Sequence, residues 1–201
     1  CCGMPKFELG DLESVRLFAE QNTTEMKGLA DQGFVITAPI PSCVLMYRKE
    51  LPLLLPNDEA VQWVAKAMRD PFEILIALKR SGQLNMDFTE SLGNVAYHAP
   101  CHQRVQNIGY KTKEILELVP NTNVTLIERC SGHDGTYAVK HESYPQAKKI
   151  CRPIVRAIDK SAPDIYISDC PMAFDLIDQG TECSSAFKSA FAALKFAYGV
   201  E

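Results

Sequence analysis

The spacing of the cysteines constrains this chain more than any other feature. Cys1-Cys2-Gly3 begins 42 residues before Cys43, and Cys130-Ser131-Gly132 begins 40 residues before Cys170. In each stretch a cysteine-glycine turn leads into a helical pattern and then into an apolar run ending in cysteine. The runs are Ile-Thr-Ala-Pro-Ile-Pro-Ser-Cys43 and Ile-Tyr-Ile-Ser-Asp-Cys170. The second stretch is preceded by another apolar run ending at Cys101, 29 residues before Cys130. Its counterpart would lie upstream of Cys1, so a further cysteine is expected there in a longer protein. The repeated plan predicts two pseudo-symmetric halves, residues 1–93 and 94–201.

Periodicity sets the class of fold. Residues 33 to 39, 94 to 99, 123 to 127 and 164 to 168 are short, apolar and bounded by Gly, Pro, Asn or Asp, which predicts buried strands. Helical spacing follows at Ile108, Thr112, Ile115, Leu116 and Val119, and again at Ala147, Ile150, Cys151, Ile154, Val155 and Ile158. Val61, Val64, Ala65 and Met68, then Phe72, Leu75 and Ile76, predict a helix pair hinged at Asp70-Pro71. Phe187, Phe191, Leu194 and Tyr198 mark a terminal helix. Strand-helix alternation implies an α/β fold with short parallel sheets flanked by helices.

Composition removes several classes of function. With 46% hydrophobic residues, 23% charged residues and a net charge of -4, the chain offers no broad basic field for a phosphate backbone, so nucleic acid is not an expected partner. The apolar runs are far shorter than the ~20 residues that cross a bilayer. Any membrane association would then run through partners. Asn22-Thr23-Thr24 and Asn123-Val124-Thr125 read as glycosylation sequons. No basic-then-apolar leader accompanies them, and the expected compartment is the cytoplasm.

Cysteines at the ends of parallel strands project into the crevice where α/β sheets bind ligands. Three or four thiolates gathered there can hold zinc or an iron-sulfur cluster, and spacing leaves both open. Adjacent Cys1 and Cys2 fit a metal site better than a disulfide staple. Cys151 lies on the apolar stripe of its helix and reads as a packing residue, while Cys183 reads as a free thiol. His98 reads as a hydrogen-bonded core group, and Arg104 and Lys111 as solvated charges or guides for an acidic partner.

Four motifs in order carry a resemblance: Cys1-Cys2-Gly3-Met4-Pro5, the stretch from Tyr97-His98-Ala99-Pro100-Cys101-His102 to Gly109, Cys130-Ser131-Gly132-His133-Asp134-Gly135, and Ser168-Asp169-Cys170-Pro171. Over nearly its whole length the chain resembles the CCG-type cysteine-rich domain family. That family includes iron-sulfur subunits of anaerobic glycerol-3-phosphate dehydrogenase and glycolate oxidase, and the cysteine-rich subunit of heterodisulfide reductase. The resemblance implies cluster ligands at Cys1, Cys2 and Cys43 in one half, and at Cys101, Cys130 and Cys170 in the other. Met46 and Ala173 are read as standing where each Cys-x-x-Cys would end, and Ser131 replaces the second cysteine of the second Cys-Cys-Gly. The second site therefore needs a fourth ligand, from His133, Asp134, His102, Ser131 or an external group. His133 is the choice, because glycines on both sides of His133-Asp134 let the turn swing an imidazole back.

The expected function is an iron-sulfur electron-transfer subunit of a multi-subunit oxidoreductase, itself non-catalytic or dependent on its partners. It would hold one or two 4Fe-4S clusters and relay electrons between a flavin-containing dehydrogenase or other redox subunit and a quinone or thiol acceptor. The alternatives are a catalytic subunit like that of heterodisulfide reductase, with an open iron site, and a zinc-stabilised interaction module. Two structural expectations follow: the sulfurs of Cys101, Cys130 and Cys170 converge, and Cys43 takes the place of Cys170 in its own half.

Overall fold

The computed structural model describes residues 1–200. By internal contacts the chain divides into two units, Cys1–Ile74 and Leu75–Glu201.

In the first unit Gly3, at φ +91°, turns the chain into α1 (Met4–Glu8), with Pro5 in its first turn. Asp11 then caps α2 (Leu12–Asp31) by accepting from the Ser14 amide at 3.2 Å. Strand β1 (Ile36–Thr37) leads to α3 (Pro41–Leu45), a π-helical turn over Met46–Glu50, and α4 (Leu51–Leu54). Asp58 caps α5 (Glu59–Ala67), which runs into β2 (Met68–Arg69), parallel to β1. Val15, Ala19, Val44, Met46, Leu51, Val61, Val64 and Met68 form the core between these elements.

Helix α6 (Pro71–Arg80) spans the division between the units, with Asp70 accepting from the Phe72 amide at 2.8 Å at its start. Residues 85 to 90 make their contacts within the second unit. The Thr89 and Glu90 amides donate to the Ala197 carbonyl, Tyr198 donates to the Asn85 carbonyl, and Phe88 stacks on Tyr198 at 4.6 Å. Residues 85 to 90 are thus tied to the C-terminal end of the chain.

The second unit holds β3 (Gly93–His98), α7 (Cys101–Arg104), α8 (Lys111–Leu116), β4 (Thr122–Ile127) and α9 (Tyr144–Ser161). After these come β5 (Ile165–Ser168), α10 (Pro171–Asp178), β6 (Ala186–Phe187) and α11 (Ala190–Ala197). The four strands form one parallel sheet in the order β4-β3-β5-β6. Its register sets His98 opposite both Ile127 and Ser168. Three strands therefore end level along one edge. The stripe Ala147, Cys151, Ile154 and Ile158 of α9 is buried with Ala96, Tyr166, Phe174 and Ile177, and Tyr166 stacks on Phe174 at 5.1 Å.

Each unit runs from a positive-φ glycine turn to a long helix, a short strand, a helix opening on proline, and a strand parallel to the first. The detail differs. Cys170 precedes Pro171 and is the N-cap of α10, whereas Cys43 follows Pro41 and lies inside α3. Counted from the prolines, Cys43 has the place of Ala173, and Ile40 that of Cys170. The strand-end position expected for Cys43 is thereby corrected: β1 ends at Thr37, because two prolines and a helix start follow it.

Gly132, at φ +82°, has no room for a side chain, since a Cβ would lie 2.6 Å from the Ala147 carbonyl oxygen and 2.9 Å from Ile150 Cβ. Gly82, at φ +71°, faces open space. Gly132→Ala is expected to cost about 3 kcal/mol or more, against about 1 to 2 kcal/mol for Gly82→Ala. Urea titration reads both, and equal losses would contradict the packing at Gly132.

Candidate metal centre

All eight cysteines are free thiols. In the second unit the parallel register places three of them just past strand ends: Cys101 follows His98 by three residues, Cys130 follows Ile127 by three, and Cys170 follows Ser168 by two. Their fields overlap in a chain. Cys101 feels Cys130, Cys170 feels Cys101, and Cys151, buried on α9, feels Cys130. Burial first, and then these neighbours, push the Cys101 and Cys170 thiols up, while the Ala173 and Met172 amides at the start of α10 pull Cys170 down. Cys151 is pushed to about 11, chiefly by burial. Its side chain packs in the core.

His133 stands against Cys170, with Nε2 3.3 Å from Sγ. The imidazole is buried, and its Nδ1 has no hydrogen-bond partner among the described residues. Burial lowers its pKa, and the neighbouring His102 lowers it further. Nδ1 is thus a buried polar atom whose partner is missing, while Nε2 faces the thiol. Among the described residues, no three His, Cys, Asp or Glu side chains converge closely enough to hold a single metal ion.

Two buried polar devices join the cysteine-bearing segments. In the first, His98 Nε2 lies 3.0 Å from the Arg129 carbonyl, which can only accept, so Nε2 carries the hydrogen and Nδ1 accepts from Ser168 Oγ at 3.0 Å. That ring links the residue before Cys130 to the strand that delivers Cys170. Burial, reinforced by Arg104 and His133 and opposed by the Arg129 carbonyl, drops the His98 pKa to about 4.

In the second device Tyr97, Gln103, Thr112 and Asp169 close a ring. Tyr97 Oη is 2.6 Å from Gln103 Oε1 and 2.8 Å from Asp169 Oδ2, Thr112 Oγ1 is 3.0 Å from Asp169 Oδ2, and Gln103 Nε2 donates to Thr112 Oγ1 at 3.0 Å. Asp169 Oδ1 accepts from the Ala190 amide of α11 at 2.9 Å. Tyr97 has one O–H for two acceptors, so every contact of the ring carries a proton when Asp169 keeps its own. Burial pushes the carboxyl pKa up, in the same direction.

In the first unit the Cys43 thiol lies against the Cys2 sulfur and favours a thiolate there. That contact, helped by the Met4 amide and opposed by burial, lowers Cys2 to about 6, while Cys43 is raised by the same partner. Cys1 is exposed beside this pair, and Asn22 Nδ2 donates to its carbonyl at 2.9 Å. Of the residues chosen from the sequence, the structure thus groups Cys2 with Cys43, and Cys170 with His133, Cys101 and Cys130. Tyr97, Gln103, Thr112, Ser168 and Asp169 carried no assigned role in the sequence, although all but Thr112 lie inside the quoted motifs.

Residues 95–172, which span this sheet edge and its three strand-end cysteines, match the CCG cysteine-rich domain family. The chain is also 28% identical over 175 residues to a subunit of the anaerobic glycerol-3-phosphate dehydrogenase of Escherichia coli strain K12, and equally to the same subunit from Escherichia coli O157:H7. The match covers 85% of this chain and 43% of each relative, so the chain spans less than half the length of these curated relatives. No helix among the described residues is long and apolar enough to cross a membrane.

The His98 geometry predicts a pH dependence. Protons bind the unfolded chain near pH ~6.5 but the fold only near pH 4, so the stability that His98 contributes is whole above ~6.5 and is lost as pH falls toward 4. About 2 kcal/mol should disappear between pH 7 and 4.5 by denaturant titration. His98→Leu should flatten that part of the profile, and an unchanged slope in the variant would contradict the assignment.

Proposed function

We propose that this chain is an iron-sulfur electron-transfer subunit of a multi-subunit oxidoreductase. The observation that carries the reading is the His133 imidazole, its Nε2 against the Cys170 sulfur and its buried Nδ1 unpartnered, at the sheet edge where Cys101 and Cys130 also follow strand ends. The likeness to a subunit of anaerobic glycerol-3-phosphate dehydrogenase supports it. Cys101, Cys130, Cys170 and His133 would hold the group in the second unit, and Cys1, Cys2 and Cys43 would contribute thiolates in the first. When bound, such a cluster takes up and releases single electrons, at a potential set by its ligands, hydrogen bonds and burial.

The chain's own residues supply the surroundings. Amides at the start of α10 favour a thiolate at Cys170, and the Cys2-Cys43 pair holds a thiolate near neutral pH. His133 in place of a fourth thiolate removes one negative charge and raises the potential. We place a flavin-containing dehydrogenase on the donor side and a quinone or thiol acceptor on the other.

One observation favours the catalytic alternative as a second reading. A cavity of about 390 Å³, lined by Gln103, Arg104, Asn107, Gly109, Tyr110 and Glu128, opens beside α7, its lining coming within two residues of both Cys101 and Cys130 along the chain. Substrate-dependent changes in the visible spectrum would select that reading.

Anaerobic incubation with iron and sulfide should give a brown protein containing both elements. Cys101→Ser, Cys130→Ser and Cys170→Ser should each lose most of the second unit's iron, and His133→Ala should shift its potential or release its metal. A colourless protein that takes up zinc alone would overturn the proposal.

A further inference from the structure

We propose that Asp169 is a positioning residue for the cysteine crevice, closing with Tyr97, Gln103 and Thr112 a buried ring that fixes the Cys101 helix against the strand end bearing Cys170. Its bearing on the metal group rests on the function proposed above; the positioning itself does not. Gln103 lies in α7, two residues after Cys101, and Asp169 immediately precedes Cys170. Tyr97 sits at the end of β3, the strand between β4 and β5, and its hydroxyl touches both Gln103 and Asp169. Thr112 brings in α8, and the Ala190 amide brings in the start of α11.

Burial makes this ring decisive for geometry. Gln103 and Asp169 are 3% and 4% exposed, and Tyr97 and Thr112 are fully buried. An orphaned polar group at such a place costs about 1 to 3 kcal/mol, so no member can leave the ring without strain on the rest. Helix α7 has only four residues and no side-chain cap at its N-terminus. A helix so short has little stability of its own and takes its orientation from packing and from such bonds. With the Cys101 and Cys170 sulfurs close enough to perturb each other, a small rotation of α7 would open the gap a shared ligand must span. The His98 bridge fixes the Cys130 segment separately, so loss of the ring should loosen Cys101 relative to the other two.

Two readouts on the full chain test this. In the metal-free protein a short bis-maleimide should cross-link Cys101 to Cys170, quantified by mass spectrometry of the joined peptides; Asp169→Ala should slow this reaction and Asp169→Asn, which keeps both a donor and an acceptor, should restore it. In the iron-loaded protein Asp169→Ala should give up its iron at a chelator concentration about tenfold lower than the unchanged chain. Asp169→Asn should hold it and keep the spectrum of the reduced state. If Asp169→Ala does not fold, Tyr97→Phe and Thr112→Val, which keep shape and remove ring hydroxyls, should show the same losses. Folded Ala, Phe and Val variants with unchanged cross-linking and chelator resistance would overturn the inference. An unchanged chain that takes up no iron, yet cross-links in the Asp169-dependent way, would overturn the proposed function and leave the positioning role standing.

Discussion

The parallel register of β3 with β4 and β5 is the constraint on which the second unit depends. With His98 opposite Ile127 on one side and Ser168 on the other, three strands finish level, and the chain leaving each strand reaches a cysteine within two or three residues. Cysteines 69 residues apart at the extremes of sequence thereby follow strand ends along one sheet edge. Apolar packing on α9 holds the sheet together. Buried hydrogen bonds then do what packing cannot, because they fix direction: His98 ties the Cys130 segment to Ser168, and the Asp169 ring ties α7 to the start of α10. A ligand site assembled from three segments needs its donors within fractions of an ångström, and oriented polar contacts supply that.

Much of this was legible in the sequence, for reasons that can be traced. Strands β1, β3, β4 and β5 fall within or close to the predicted runs because each is β-branched, apolar and bounded by turn residues. Helix α9 follows its apolar stripe, and α11 follows Phe191 and Leu194 of the terminal stripe, whereas Phe187, expected in that helix, lies in β6. Strands β2 and β6 were not predicted, since two residues carry no periodicity. Near β2 the expected hinge at Asp70-Pro71 is instead a strand end followed by an Asp70 cap. At the candidate site, the cysteines and His133 were proposed from their spacing and from the family resemblance, and the structure brings His133 against Cys170. Tyr97, Gln103, Thr112 and Asp169 could not be picked in this way, because their role comes from a closed ring across β3, α7, α8 and the end of β5, which no local pattern encodes.

The two units show how one plan can diverge in its ligands. Both use a left-handed glycine after the first cysteine turn, at Gly3 and Gly132, and both open a helix on proline after the short strand. One retains a cysteine before that proline and the other a cysteine two residues after it. The unit that lacks the later cysteine is the one with His133 beside Cys170. Histidine and cysteine differ in charge, so a group held as proposed would differ between the units in electronic character as well as in ligand count.

X-ray absorption at the iron edge, on protein loaded anaerobically with iron and sulfide, tests the central claim most directly. A shell of sulfur neighbours at ~2.3 Å with an additional iron-iron shell is the result the account predicts, since only a cluster supplies metal neighbours. Iron or zinc bound as isolated ions, with no metal-metal scattering, would contradict it.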